Sequence, residues 1–277
     1  MNKSAAIPVV ALLLAATVAC STSGTVQNSP GASGGLPSAP GGPGHGGDGG
    51  LIGGSTGGGS VPDAGGLSPQ QIAGKTDPAV CQQVTAAISD AEKAIDKGTF
   101  GDPTAEVKAY RDLADKLGAL QGQEVGPVAM MNSVAVLSLR IAANELSQPG
   151  KRPNLISDHL DYTAAACTKQ VANTVTGSKL TMCAQLERTF TDTDTKLAGE
   201  VGDAAAFKAD AASAAKATSA LESAAHKADS TYNLAANVVD MAQAYQSADP
   251  ASEDSVYQIG NQAEGIARDC DGGVNLF

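Results

Sequence analysis

"CQQVTAAISDAEKAI", residues 81–95, and "CAQLERTFTDTDTKL", residues 183–197, align without a gap. Cys81 matches Cys183, Gln83 matches Gln185 and Val84 matches Leu186. Ile88 matches Phe190, Asp90 matches Asp192, Glu92 matches Asp194 and Ile95 matches Leu197. Apolar residues in both recur at three- and four-residue steps, the mark of a helix with one buried stripe. The correspondence extends outward: Gly101-Asp102 finds an echo in Gly202-Asp203, and Ala119-Leu120 in Ala220-Leu221. Ser147-Gln148-Pro149 resembles Ser247-Ala248-Asp249-Pro250, and Cys167 corresponds to Cys270. A repeat of about a hundred residues, helical throughout, predicts an all-α body of two tandem up-down four-helix bundles, 69–175 and 176–277.

In the first copy, Thr76 or Asp77 caps a helix with Pro78 at its first position. Its stripe is Val80, Val84, Ile88, Ala91 and Ile95, and Gly98 ends it. A second helix opens at Asp102-Pro103 and carries Val107, Tyr110, Ala114 and Leu117. A third follows Gly126-Pro127 through Met130, Val134, Leu137 and Ile141 and stops before Pro149-Gly150. A fourth runs from near Asn154 through Ile156, Leu160, Ala164 and Cys167. In the second copy, 204–247 has neither Gly nor Pro. The turn of the first copy around Gly122 to Gly126 predicts a bend near "HKADST", 226–231, with Asp229 or Ser230 as cap. The helices expected there are 179–198, 204–227, 230–247 and 250–270, the last opening at Asp249-Pro250 with Val256, Ile259, Ala263 and Ile266 inward.

Each copy places one cysteine in the first turn of its first helix and one near the close of its fourth. In an up-down bundle those positions share one end of adjacent helices, so Cys81 pairs with Cys167 and Cys183 with Cys270. The alternative, Cys81–Cys270 with Cys167–Cys183, makes the copies one larger bundle. Disulfides suit an oxidising compartment. They also suit a core without Trp and with 3% aromatics, where Ala, Val, Leu and Ile supply the burial. Cys20 is the odd cysteine.

Residues 1–19 read as a secretory signal, with Lys3 ahead of the apolar "AAIPVVALLLAATVA". That run is short of the roughly 20 residues of an ordinary spanning helix. Thr17-Val18-Ala19-Cys20 resembles the lipobox of bacterial cell-envelope lipoproteins, and the Ala/Gly-rich composition is of the actinobacterial kind. The resemblance implies a lipid attached to Cys20 and localisation at the outer face of the plasma membrane, with the membrane itself as a partner. Thr17 departs from the family's usual Leu; a plain secretory cleavage site is the alternative. Residues 20–68, rich in Gly, Ser and Pro, read as a disordered tether. Its root-mean-square reach is about 40 Å by flexible-chain scaling. His45 lies within it between glycines, with no second ligand nearby.

The formal charge of −11 disfavours a nucleic-acid partner, which asks for Lys and Arg against phosphates. The sequence carries no catalytic constellation. Gly-x-Ser-x-Gly and a Gly-rich phosphate loop after a strand are both absent. No metal or cofactor is expected. "DHLD", 158–161, sets Asp158 and Asp161 one turn apart beside His159, and Glu222 shares a helical face with His226. Both read as solvated helix faces, for the chain lacks the Glu-x-x-His of carboxylate-bridged metal bundles. "TDTDT", 191–195, lacks the glycine and closing Glu of a calcium loop. Adjacent Met130 and Met131 read as packing rather than a promiscuous groove. The terminal "VNLF", 274–277, folds back or dangles.

Three functions fit this pattern. The first is a non-catalytic binding or structural module for an envelope protein or wall component. The second is a carrier of an apolar ligand, which needs an enclosed cavity of roughly 300–1,000 Å³. The third is an accessory enzyme.

Overall fold

In the computed structural model the described residues are 69–72, 74–96, 103–151, 156–231 and 233–271. The signal segment, Cys20, the tether with His45, and the terminal "VNLF" lie outside them. All the described residues belong to one compact unit, 57–277. They form ten helices and, among themselves, no strand. Four lie before residue 151, α1 (Pro69–Ile72), α2 (Pro78–Asp96), α3 (Pro103–Gly118) and α4 (Gly126–Leu146), and α5 (Ile156–Thr168) completes the first half. The second half holds α6 (Gly177–Glu200), α7 (Ala204–Ser219), α8 (Glu222–Ala228), α9 (Asn233–Ser247) and α10 (Glu253–Cys270).

Helix α2 starts at Pro78 because Asp77 caps it: Ala79 N–H donates to Asp77 Oδ1 at 2.7 Å. Thr76 does something else. Its hydroxyl donates to the Val125 carbonyl at 3.1 Å and accepts from Val125 N–H at 3.0 Å, pinning the start of α2 to the start of α4. In the second half, Asp203 caps α7 by accepting from Ala205 and Ala206 N–H.

The bend expected at 226–231 is present, between α8 and α9, but the helix before it differs from expectation. Helix 204–227 is not continuous; it breaks at Ala220-Leu221, and α8 follows. Ala220 N–H donates to the Lys216 carbonyl and Leu221 N–H to Thr218. Ala119 and Leu120 close α3 with the same pair of bonds, to Asp115 and Leu117. The two turns thus share one hydrogen-bond pattern, and α8 stands where the first half has the loop that carries Gly122 at φ +87°. A second bend at Asp229 leads into α9; its Oδ1 accepts from Thr231 N–H and hydroxyl, and its Oδ2 from Lys179 Nζ. Nor is Pro250 helical: it sits in the turn Asp249–Ser252, and α10 opens at Glu253. The α10 terminus is capped from the other half, where Glu145 Oε2 of α4 accepts from Glu253 N–H at 3.0 Å.

Helix α4 holds the centre. It packs on α3 and α5 of its own half and on α6 and α10 of the other. It is the one described helix long and apolar enough to cross a membrane, and 94% of that apolar window is buried within the body. Met130 and Met131 are both buried, so the adjacent pair packs on two sides of one helix. Helix α2 packs on α3 and α5, and α7, α8 and α9 pack on α6, on α10 or on one another. Buried side chains from α2 to α10 join in one hydrophobic core that runs through both halves.

Candidate functional site

The two sulfur pairs are Cys81–Cys167 and Cys183–Cys270, with Cα separations of 5.0 and 5.8 Å. Each joins the first long helix of a half to its last, over 86 and 87 residues of sequence. All four cysteines are buried. The pairing is thus within each half, while the core is shared between them.

Inside that core stand polar groups that helical periodicity offers little reason to bury. Asp194 on α6 is fully buried, between Tyr245 of α9 and Ser133 of α4. Tyr245 OH donates to Oδ1 at 2.8 Å. Ser133 Oγ lies 3.2 Å from Oδ2 and 2.8 Å from the Met130 carbonyl, and its single proton can serve only one of these two acceptors at a time. The Oδ2 contact is satisfied when Asp194 carries a proton and donates it. Burial agrees, raising the Asp194 carboxyl to about 7 against its two hydrogen bonds.

About two turns earlier on the same face of α6, Glu187 accepts from Asn173 Nδ2 at 2.9 Å through Oε2, while Oε1 has no partner. Burial, opposed by that bond and aided by the charge of Asp271, raises it to about 8. Glu124, in the turn before α4, accepts from Asn132 Nδ2 at 2.7 Å and is likewise raised to about 8 by burial. Glu124 and Glu187 are thus raised above neutrality, and Asp194 to about it. None of the three lines either of the clefts described below, so substrate has no route to them through these clefts.

His159 corrects the solvated-face reading of "DHLD". Asp161 is exposed and Asp158 half-buried, but His159 turns inward and is 2% exposed. Its ring sits against Gly260 of α10, edge-on to Tyr162 and tilted to Tyr257. Neither ring nitrogen has a hydrogen-bond partner, and burial lowers the imidazole to about 4 against the pull of Asp158. Among the described residues no three His, Cys, Asp or Glu side chains gather as metal ligands. Gly260 is what admits the ring: a Cβ there would lie 2.0 Å from His159 Cε1. Gly260→Ala, normally a gain within a helix, is therefore expected to destabilise the body by about 1–3 kcal/mol in urea unfolding. In a His159→Ala background the same change is expected to be neutral or stabilising. A stabilising Gly260→Ala in the wild-type chain would refute this packing.

Among the described residues, two surface clefts bring polar side chains together. One, about 700 Å³, runs between α8 and α9 with Glu222, His226 and Asp240 on its walls beside Ala235 and Val239. The predicted Glu222/His226 face is thus one wall of a groove, both residues being exposed. The other, about 480 Å³, lies where α3 and α4 meet α6. Arg111, Asp115, Arg140 and Asn144 supply its polar wall, and Gly118 and Gly199 its floor. Sequence reading passed over it. The available signal was the two glycines inside or at the end of helices, each unfavourable there by about 1 kcal/mol relative to Ala. No family model, curated protein or solved structure matches this chain.

Proposed function

We propose that the chain is an exported bacterial lipoprotein whose helical body is a non-catalytic binding or structural module of the cell envelope. Residues 1–19 are removed, Cys20 carries the lipid, and 20–68 hold the body off the outer face of the plasma membrane. The observation that carries this is the sulfur inventory. Four of five cysteines are buried in pairs, as an oxidising compartment allows, which leaves Cys20 alone beside its lipobox-like sequence.

The body is proposed to be a tandem duplication, two four-helix bundles fused through α4, α6 and α10. Support comes from near-equal disulfide spans, from matching turns at Ala119-Leu120 and Ala220-Leu221, and from helix starts just after Asp102 and Asp203. A non-catalytic role is supported by the separation of the perturbed acids from the two clefts. A carrier of apolar ligands requires an enclosed apolar chamber, and both clefts are open with charged walls.

The experiment is fractionation of cells expressing the wild-type chain and Cys20→Ala. The wild type is expected in the membrane fraction with a diacylglyceryl mass on its N-terminal peptide. The variant is expected in the soluble fraction, and its retention with membranes would overturn the anchor.

A further inference from the structure

The cleft among α3, α4 and α6 combines features that the packing of the body does not require. The chain has five arginines, and two of them, Arg111 and Arg140, converge on this one surface of a protein with formal charge −11. Arg140 pairs with Asp115. Arg111 has no ion-pair or hydrogen-bond partner among the described residues. The Gln121 amide, also on the cleft wall, has its Nε2 buried with no acceptor. Such a donor, cut off from water, loses its hydration without recompense until something accepts from it.

The glycines supply an independent argument. Gly118, Gly199 and Gly202 all line the cleft. None has a positive φ, and a Cβ built on any of them would meet nothing within 4 Å. Neither backbone conformation nor protein neighbours ask for glycine at these places. In contrast, Gly260 makes room for His159. What the three open glycines have in common is the space in front of them. That space, about 480 Å³, falls within the range of small-molecule sites.

The geometry points to a binding site for a small polar molecule bearing an oxyanion, phosphate or carboxylate, clasped by Arg111 and Arg140 above the floor of Gly118 and Gly199. Guanidinium groups match either anion with two parallel N–H donors. The ligand takes Arg140 partly from Asp115, accepts from Gln121 once that half-buried side chain turns outward, and leaves Asp115 and Asn144 to meet its hydroxyls. The site deepens the binding-module reading by giving the module a ligand chemistry.

Isothermal titration of the full chain with three sugars of one size tests it: glucose 6-phosphate, glucuronate and glucose. At least one acid is expected to bind one per chain, and glucose is expected not to. The tighter acid identifies the anion. Arg111→Ala and Arg140→Ala are each expected to weaken binding about tenfold or more. Gly199→Leu fills open space, so it is expected to keep the melting temperature while abolishing binding. Arg111 is exposed, so its variant remains informative if Arg140→Ala fails to fold. Absence of binding by both acids, equal binding of glucose, or wild-type affinity in Arg111→Ala or Gly199→Leu would each overturn the site. Such a result would leave the lipid anchor standing, because Cys20→Ala fractionation reads that separately.

Discussion

Raising the pH from 5 to 8 is expected to destabilise this protein steeply, the reverse of the usual acid sensitivity. Glu124, Glu187 and Asp194 have ordinary values of 4.5, 4.5 and 3.8, and burial raises them to about 8, 8 and 7. Above pH 5 the unfolded chain has released these three protons while the folded chain holds them. Stability then falls with pH wherever the folded state binds more protons. His159 opposes this, since its lowered value leaves the unfolded chain one proton richer between pH 4 and 6.5. Three against one leaves two, a loss of about 2 to 3 kcal/mol per pH unit from pH 5 to 6.5. Below about pH 4.5 the carboxyls discriminate progressively less, and His159 lowers stability only until the pH reaches about 4. Asp229, held near 2 by Lys179 and Thr231, adds stability that is lost as the pH falls through that value. Melting temperature should therefore peak near about pH 4.5 and decline toward pH 8.

Asp194→Asn isolates one member. The amide can accept from Tyr245 through Oδ1 and donate to Ser133 Oγ, as the protonated acid does. The variant is expected to match the wild type at pH 5 and to exceed it in thermal melts at pH 8. Glu187→Gln should behave likewise. A wild-type melting temperature that climbs toward pH 8, or an Asp194→Asn deficit that is equal at every pH, would refute the buried neutral acid.

The stripes of the long helices were legible because burial there repeats at the helical period. Val256, Ile259, Ala263 and Ile266 are all fully buried, and so are Val134, Leu137 and Ile141. The cysteine positions, paired by the same logic, lie within bonding reach of one another. What periodicity could not supply was the identity of the neighbour. Glu92 and Asp194 are matched residues of the repeat, yet Glu92 is exposed and Asp194 is sealed. The first sits on α2 at the rim; the second sits on α6, which α4, α7, α8 and α10 surround. A carboxylate in a sequence reads as solvent-facing until a partner such as Tyr245 arrives from fifty-one residues away. Ser133 and Asn132 on α4 were obscured in the same way, as polar breaks in an apolar run that turn out to serve Asp194 and Glu124. The cleft was invisible for a related reason. Its arginines belong to α3 and α4 and its glycines to α3 and the α6 end, so only tertiary packing unites them.

The largest single loss is expected on removing a disulfide, and the two should differ in kind. Each closes a loop of eighty-odd residues, for which the chain-entropy model gives about 4 to 5 kcal/mol. That is a large share of the 5–15 kcal/mol typical of a domain. The Ala-rich core worsens matters, because small side chains remove less apolar area from water. Location then separates the pairs. Cys183–Cys270 ties α6 to α10, both packed on central α4, so Cys183→Ala/Cys270→Ala should weaken the whole body in one cooperative transition. Cys81–Cys167 ties α2 to α5, and α2 packs mainly on α3 and α5 at the edge. Without that bond α2 keeps its Thr76–Val125 anchor but little else outside the flanking helices. Cys81→Ala/Cys167→Ala is therefore expected to free α2 first. Hydrogen exchange should show α2 amides losing protection while α4, α6 and α10 keep theirs. Urea unfolding of the Cys183/Cys270 variant should instead show one transition shifted by several kcal/mol. Uniform loss of protection in both variants would mean that α2 unfolds only with the core. A shift under about 1 kcal/mol in both would mean that the sulfur bonds are not what holds an alanine-packed body together.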